Sequence, residues 1–232
     1  MTDKLSSSPH PIRDAAEANP SRRRFVRHMG LAAAALGTLP LAACGGGDDA
    51  PAVQFAHGIA SGDPLADRVM LWTRVTPPVG HTGDIPVEWE VATDSAFTTL
   101  VAQGQTTALA SKDFTVKVDA TGLKAATAYH YRFRAYAATS PTGRTRTLPT
   151  GSVAQVKLAV FSCANYPAGY FNVYAHAAKR GDLDATVHLG DYIYEYGQGG
   201  YASANAGALG RLSTPAKEIL SLADYRQRHA QY

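Results

Sequence analysis

Two short apolar runs, residues 156–161 and 185–189, flank a stretch at 169–180 in which Phe171, Val173, Tyr174, Ala177 and Ala178 recur at helical spacing. Runs this short and this rich in Val, Ala and Leu suit strands buried on both faces of a sheet, and Gly181-Asp182 marks where the helix closes. Strand, helix, strand is a β-α-β unit, and such a crossover sets its two strands parallel and side by side. The first strand runs into Ser162-Cys163-Ala164-Asn165 and the second into Gly190-Asp191. Both endings therefore fall at the carboxyl edge of the sheet, where ligands of open α/β folds gather.

The side chains delivered to that edge have a chemistry in common. Gly190 allows a tight turn, and if the following loop doubles back, the thiolate of Cys163, the carboxylate of Asp191 and the phenolate of Tyr194 converge. Sulfur favours iron, copper or zinc, whereas carboxylate and phenolate favour a hard, oxidised ion; the set points to a transition metal such as ferric iron. Asn165, close behind Cys163, is a candidate to orient a ligand from outside the coordination sphere. A plainer reading stands beside this one, because Asp after Gly is ordinary turn chemistry and tyrosines at a strand end often pack its rim. His188 is read as a hydrogen-bonded residue of the strand, and Tyr192, Glu195 and Tyr196 as rim packing.

Gly190-Asp191-Tyr192-Ile193-Tyr194 resembles the GDxxY block of purple acid phosphatases and of the alkaline phosphatase D (PhoD-like) family, in the calcineurin-like metallophosphoesterase group. Phe161-Ser162-Cys163, followed by the run His188 to Tyr196, is similar to the PhoD-like pattern, where a Cys stands in place of the usual Asp-x-His. That cysteine disfavours the purple acid phosphatase alternative. The resemblance implies that Cys163, Asp191 and Tyr194 are iron ligands, that Asp191 also bridges toward calcium, and that the reaction is hydrolysis of phosphate monoesters or diesters at alkaline pH. It further implies a later Asn, Asp and His as ligands, which have no counterpart here. With two strands only, the catalytic domain is expected to be incomplete and to turn over little by itself.

Upstream, residues 55–150 carry the signals of an all-β sandwich. Candidate strands lie at 69–75, 86–92, 114–118 and 128–136; in the last, Tyr129, Tyr131, Phe133 and Ala135 fall on one face and His130, Arg132 and Arg134 on the other. The segment 123–129 resembles the corner of fibronectin type III-like sandwiches, where a tyrosine ties the loop back. His57 to Pro64 resembles the start of the PhoD-like amino-terminal domain, with His57 and Asp63 read as turn or cap residues. The expected fold is thus mixed: a fibronectin type III-like sandwich, then from 151 to 232 the start of an α/β metallophosphoesterase domain. Arg144 and Arg146 are read as solvated linker charges, Arg211 as a solvated arginine in a Gly- and Ala-rich loop at 197–215, and Thr214-Pro215 as the opening of a last helix.

The amino terminus reads as an address. Ser21-Arg22-Arg23-Arg24-Phe25 resembles a twin-arginine export signal, with Arg22 and Arg23 as the recognised pair, and the apolar stretch after it is too short to span a membrane. Leu41-Ala42-Ala43-Cys44 resembles a lipobox, which makes Cys44 the expected lipidated residue at the end of a signal segment 1–44, with a tether at 45–54. The protein is then exported, periplasmic or held at a membrane by the lipid. Twenty-two Lys and Arg against 19 Asp and Glu leave a net charge of +3, much of it in the leader, so no nucleic-acid face is read. The competing reading is an exported lipoprotein whose sandwich binds or scaffolds and whose metal motif is a relic.

Overall fold

The structure, a computed structural model, describes residues 50–232; the readings at Arg22, Arg23 and Cys44 lie outside them. Eight strands occupy the first part: β1 (Ile59–Gly62), β2 (Arg68–Arg74), β3 (Ile85–Ala92), β4 (Leu100–Ala108), β5 (Thr115–Thr121), β6 (Ala128–Ala135), β7 (Ala138–Thr139) and β8 (Gly143–Arg146). One antiparallel sheet has the order β1-β2-β5; in the other, β4-β3-β6, both β7 and β8 pair with β6. The two-residue alternation explains why the sheets face each other. Val69 and Leu71 of β2, Ile85, Val87 and Val91 of β3, Val116 and Val118 of β5, and Tyr129, Tyr131 and Phe133 of β6 all enter one core. The buried hydroxyl of Thr73 is satisfied by donating to the Gly58 carbonyl at 2.9 Å. Tyr129 ties back the preceding loop, its oxygen accepting the Lys124 N–H at 2.9 Å.

Strand β4 is hidden in the sequence because it is polar and pairs with β3 alone. Its Gly104 lies opposite Trp89, and a Cβ there would come within 2.9 Å of the indole, so the ring itself requires glycine.

Beyond the sandwich come β9 (Leu158–Phe161), α1 (Asn172–Ala178) and β10 (Ala185–His188), with β9 and β10 parallel and Phe161 level with His188. Three expectations need correction here. The helix expected over 169–180 is shorter, because Pro167 sits in a 3-10 turn at Tyr166–Ala168 and Gly169 follows as an extended break. The strands are not buried on both faces: Leu158 is 51% exposed and Val160 54%. Nor does Thr214-Pro215 open the last helix. Helix α2 (Leu222–His229) starts at Ser221, whose side chain accepts the Asp224 N–H while the Asp224 carboxylate accepts the Ser221 N–H, a reciprocal cap stronger than the proline signal.

The arginines read as solvated are engaged. Arg146 pairs with Asp184 at 3.0 Å, Asp184 also accepts the Lys157 N–H at 2.8 Å, and Arg144 donates to the Arg180 carbonyl at 3.3 Å. These contacts join the sandwich to the β-α-β unit. Arg211 lies over the Tyr166 ring at 3.7 Å and donates to the Tyr166 carbonyl at 2.7 Å, fastening the glycine-rich loop against α1's approach.

His57 contacts both parts of the molecule. Its ring stacks on His229 of α2 at 5.9 Å, and its Nδ1 lies 3.4 Å from both Arg74 and Thr76. Burial first, then Arg74 and His229, push its pKa below the ordinary value, with Asp113 opposing. The unfolded chain therefore takes up a proton before the folded one, and stability falls as pH drops from about 6.5 toward the depressed value. His57→Gln should flatten that part of a melting-temperature profile, while leaving the melting temperature above about pH 8 nearly unchanged.

Candidate metal centre

The ladder between β9 and β10 continues past both strands. Leu189 N–H donates to the Phe161 carbonyl at 2.8 Å, Cys163 N–H to Gly190 at 3.1 Å and Ala164 N–H to Asp191 at 2.8 Å. Both loops then turn sharply: Gly190 has φ 127°, while Cys163 (63°) and Asp191 (52°) adopt left-handed backbone without being glycine. Paired strain of this kind persists only where surroundings enforce it, and it gathers at functional sites. His188 helps set the turn. Its Nδ1 accepts the Gly190 N–H at 3.3 Å and its Nε2 shares a hydrogen bond with Tyr174 Oη at 3.1 Å, so both ring nitrogens are engaged.

The turns bring three side chains together. Asp191 Oδ2 accepts from Tyr194 Oη at 3.1 Å and lies 3.5 Å from Cys163 Sγ, which in turn accepts from Ser162 Oγ at 3.2 Å. The Cys163 sulfur, burial and the Asp191 carboxylate, in that order, push the Tyr194 phenol well above its usual range. Among the described residues, no Lys or Arg pairs with Asp191. Nor do three His, Cys, Asp or Glu side chains gather anywhere among them; here a phenol supplies the third donor. A thiol, a carboxylate and a phenol crowded together without a protein cation fit a metal ion.

Asn165 does not join the cluster. Its Nδ2 points to the Tyr201 carbonyl at 3.5 Å and its Oδ1 is buried without a partner. Around the cluster, Tyr194, Tyr196 and Tyr201 pack ring on ring, with Tyr194 and Tyr201 centroids 5.9 Å apart. Nothing in the sequence singles out Tyr201, since it lies in the glycine-rich loop without periodic context. Arg228 is equally inconspicuous there: it reads as one more charge on a polar helix, yet it is 1% exposed.

Comparison with known proteins gives this site a setting. Residues 41–149 match the model for the N-terminal domain of PhoD-like phosphatase, and residues 158–232 match that for PhoD-like phosphatase itself. The chain is 41% identical over 224 residues to alkaline phosphatase D of Bacillus subtilis, an alignment covering 91% of this chain and 38% of that protein. A solved structure of PhoD superposes with a TM-score of 0.72 at 43% identity, covering 80% of this chain and 35% of that one. The chain therefore spans well under half the length of either relative.

Proposed function

Because this chain belongs to the PhoD-like phosphatase family, we propose that it contributes part of the metal centre of an alkaline phosphatase or phosphodiesterase acting on phosphate esters. The observation that carries the reading is the convergence of Cys163, Asp191 and Tyr194 on strained turns at the carboxyl edge of a parallel strand pair. Ferric iron suits this mixed sulfur and oxygen set, and Asp191, with a second carboxylate oxygen free, suits a shared role toward calcium. Bound there, the ions supply Lewis-acid polarisation of phosphoryl oxygens and neutralise charge on the leaving group.

The chain's own residues prepare the site. Asp191 accepts the hydrogen bond of the Tyr194 phenol, whose proton would have to leave for its oxygen to bind a cation. His188 fixes the Gly190 turn that aims Asp191, and the Tyr194, Tyr196 and Tyr201 rings narrow access to the cluster from one side. Three donors hold an ion without completing a polynuclear centre, so the chain by itself should turn over little. Two antiparallel sheets around one core and the Tyr129 tie support the reading of a fibronectin type III-like sandwich with a structural role beside the site. Export by the twin-arginine machinery and a lipid on Cys44 fit the leader sequence; among the described residues no helix is long and apolar enough to cross a membrane.

The test is metal content together with hydrolysis. The purified chain should take up iron, and hydrolyse an aryl phosphate or aryl phosphodiester only weakly at alkaline pH. A chain that takes up neither iron nor calcium would sink the reading in favour of a sandwich protein with a relic motif.

A further inference from the structure

Arg228 is the most deeply buried charge among the described residues, and a guanidinium out of water needs a reason. All three of its nitrogens donate to main-chain carbonyls. Nε donates to Thr214 at 2.9 Å, Nη2 to Pro215 at 3.0 Å, and Nη1 to both Tyr194 at 2.6 Å and Tyr196 at 3.2 Å. No carboxylate of the described residues pairs with it. The fork thus clamps two backbone segments that do not form a sheet, and one of them carries the phenol of the donor cluster.

Helix α2 is itself held from the other side. Arg226 lies 3.5 Å from Asp113, and His229, three residues on and so on the same helical face, stacks on His57. Arg228 sits on a different face, turned toward the loop. Ile219 N–H donates to the Glu195 carbonyl at 3.0 Å and Gln198 N–H to Ala216 at 2.8 Å, so the clamp closes around carbonyls already brought into line.

We propose that Arg228 is a positioning residue: through the Tyr194 and Tyr196 carbonyls it holds the Tyr194 phenol against Asp191, and hence in place for a metal. The last clause rests on the function proposed above; the first does not. Lysine cannot do the same, because one ammonium cannot reach four carbonyls spread over a planar fork.

The full chain, labelled at the tyrosine ring carbon that bears the hydroxyl, tests this by NMR without metal. In the wild type, Asp191→Asn should move the Tyr194 signal. In Arg228→Lys the signal should already sit near that of a solvated phenol and no longer respond to Asp191→Asn, whereas Arg226→Ala should leave the response intact. Methylguanidinium added to Arg228→Ala should restore part of it. A Tyr194 signal that still answers to Asp191→Asn in Arg228→Lys would overturn the proposal. So would collapse of all amide dispersion from 158–232 in both Arg228 variants without recovery on adding methylguanidinium, since the residue would then be holding the whole segment. Iron titration is the second arm: Arg228→Lys should weaken binding about 10- to 100-fold, as for other residues that orient ligands. If the wild type binds no iron, the function proposed above fails, and the NMR arm still decides the role of Arg228.

Discussion

Asp191→Asn should cost the chain more than about 100-fold in iron affinity, beyond the roughly 10- to 100-fold typical of changes outside the coordination sphere. The substitution is informative because it changes little else. Asn tolerates the left-handed backbone that Asp191 adopts at φ 52°, so the turn after Gly190 should survive. What disappears is the negative charge against which Tyr194 and Cys163 are set. Cys163→Ser, which keeps the size of the side chain and replaces soft sulfur with a hydroxyl, should weaken iron more than it weakens calcium. Wild-type affinity should also rise with pH, because the Tyr194 phenol, held protonated by its neighbours, must release its proton to coordinate. Titration followed by the phenolate-to-iron absorption measures the iron affinities, and calorimetry measures calcium. An Asp191→Asn chain binding iron as tightly as the wild type would remove Asp191 from the ligand set.

What the sequence disclosed, and what it hid, divides by range of interaction. The alternation of Tyr129, Tyr131 and Phe133 is local and survives into the structure, because burial in one core stabilises each inward residue. The β-α-β unit is legible for the same reason, and the parallel direction of its strands puts Cys163 and Asp191 at the same edge. Strand β4 is illegible because an edge strand with a solvated face needs no apolar period. The last helix starts later than Thr214-Pro215 suggests, because the reciprocal cap of Ser221 and Asp224 sets its first turn.

Arginines are the consistent blind spot. Arg144, Arg146, Arg211 and Arg228 are spaced like surface charges, and nothing in their neighbours marks them otherwise. Their partners are carbonyls, a carboxylate and aromatic faces contributed from other segments. A long side chain with a planar fork makes its decisive contacts far along the chain, where no periodicity records them.

Phe133→Ala should destabilise the chain by about 3–5 kcal/mol, a large share of the roughly 5–15 kcal/mol typical of a domain. Phe133 is fully buried, level with Trp89 across β3, and meets Tyr131 edge to face at 6.4 Å. Neighbouring strands on both sides limit how far the cavity can collapse. Leu100→Ala, on the edge strand and 39% exposed, should stay within about 1 kcal/mol. Urea unfolding has a useful probe here, since both tryptophans, Trp72 and Trp89, lie in the sandwich and report on it alone. The ring signal of Tyr194, resolved by NMR, reports on the other part. If the Arg146–Asp184 and Arg226–Asp113 pairs and the His57–His229 stack bind the two parts into one cooperative unit, Phe133→Ala will shift both signals by the same amount of urea. If only the tryptophan signal moves, the sandwich unfolds independently, and the metal centre depends on the local network around Arg228 rather than on the neighbouring core.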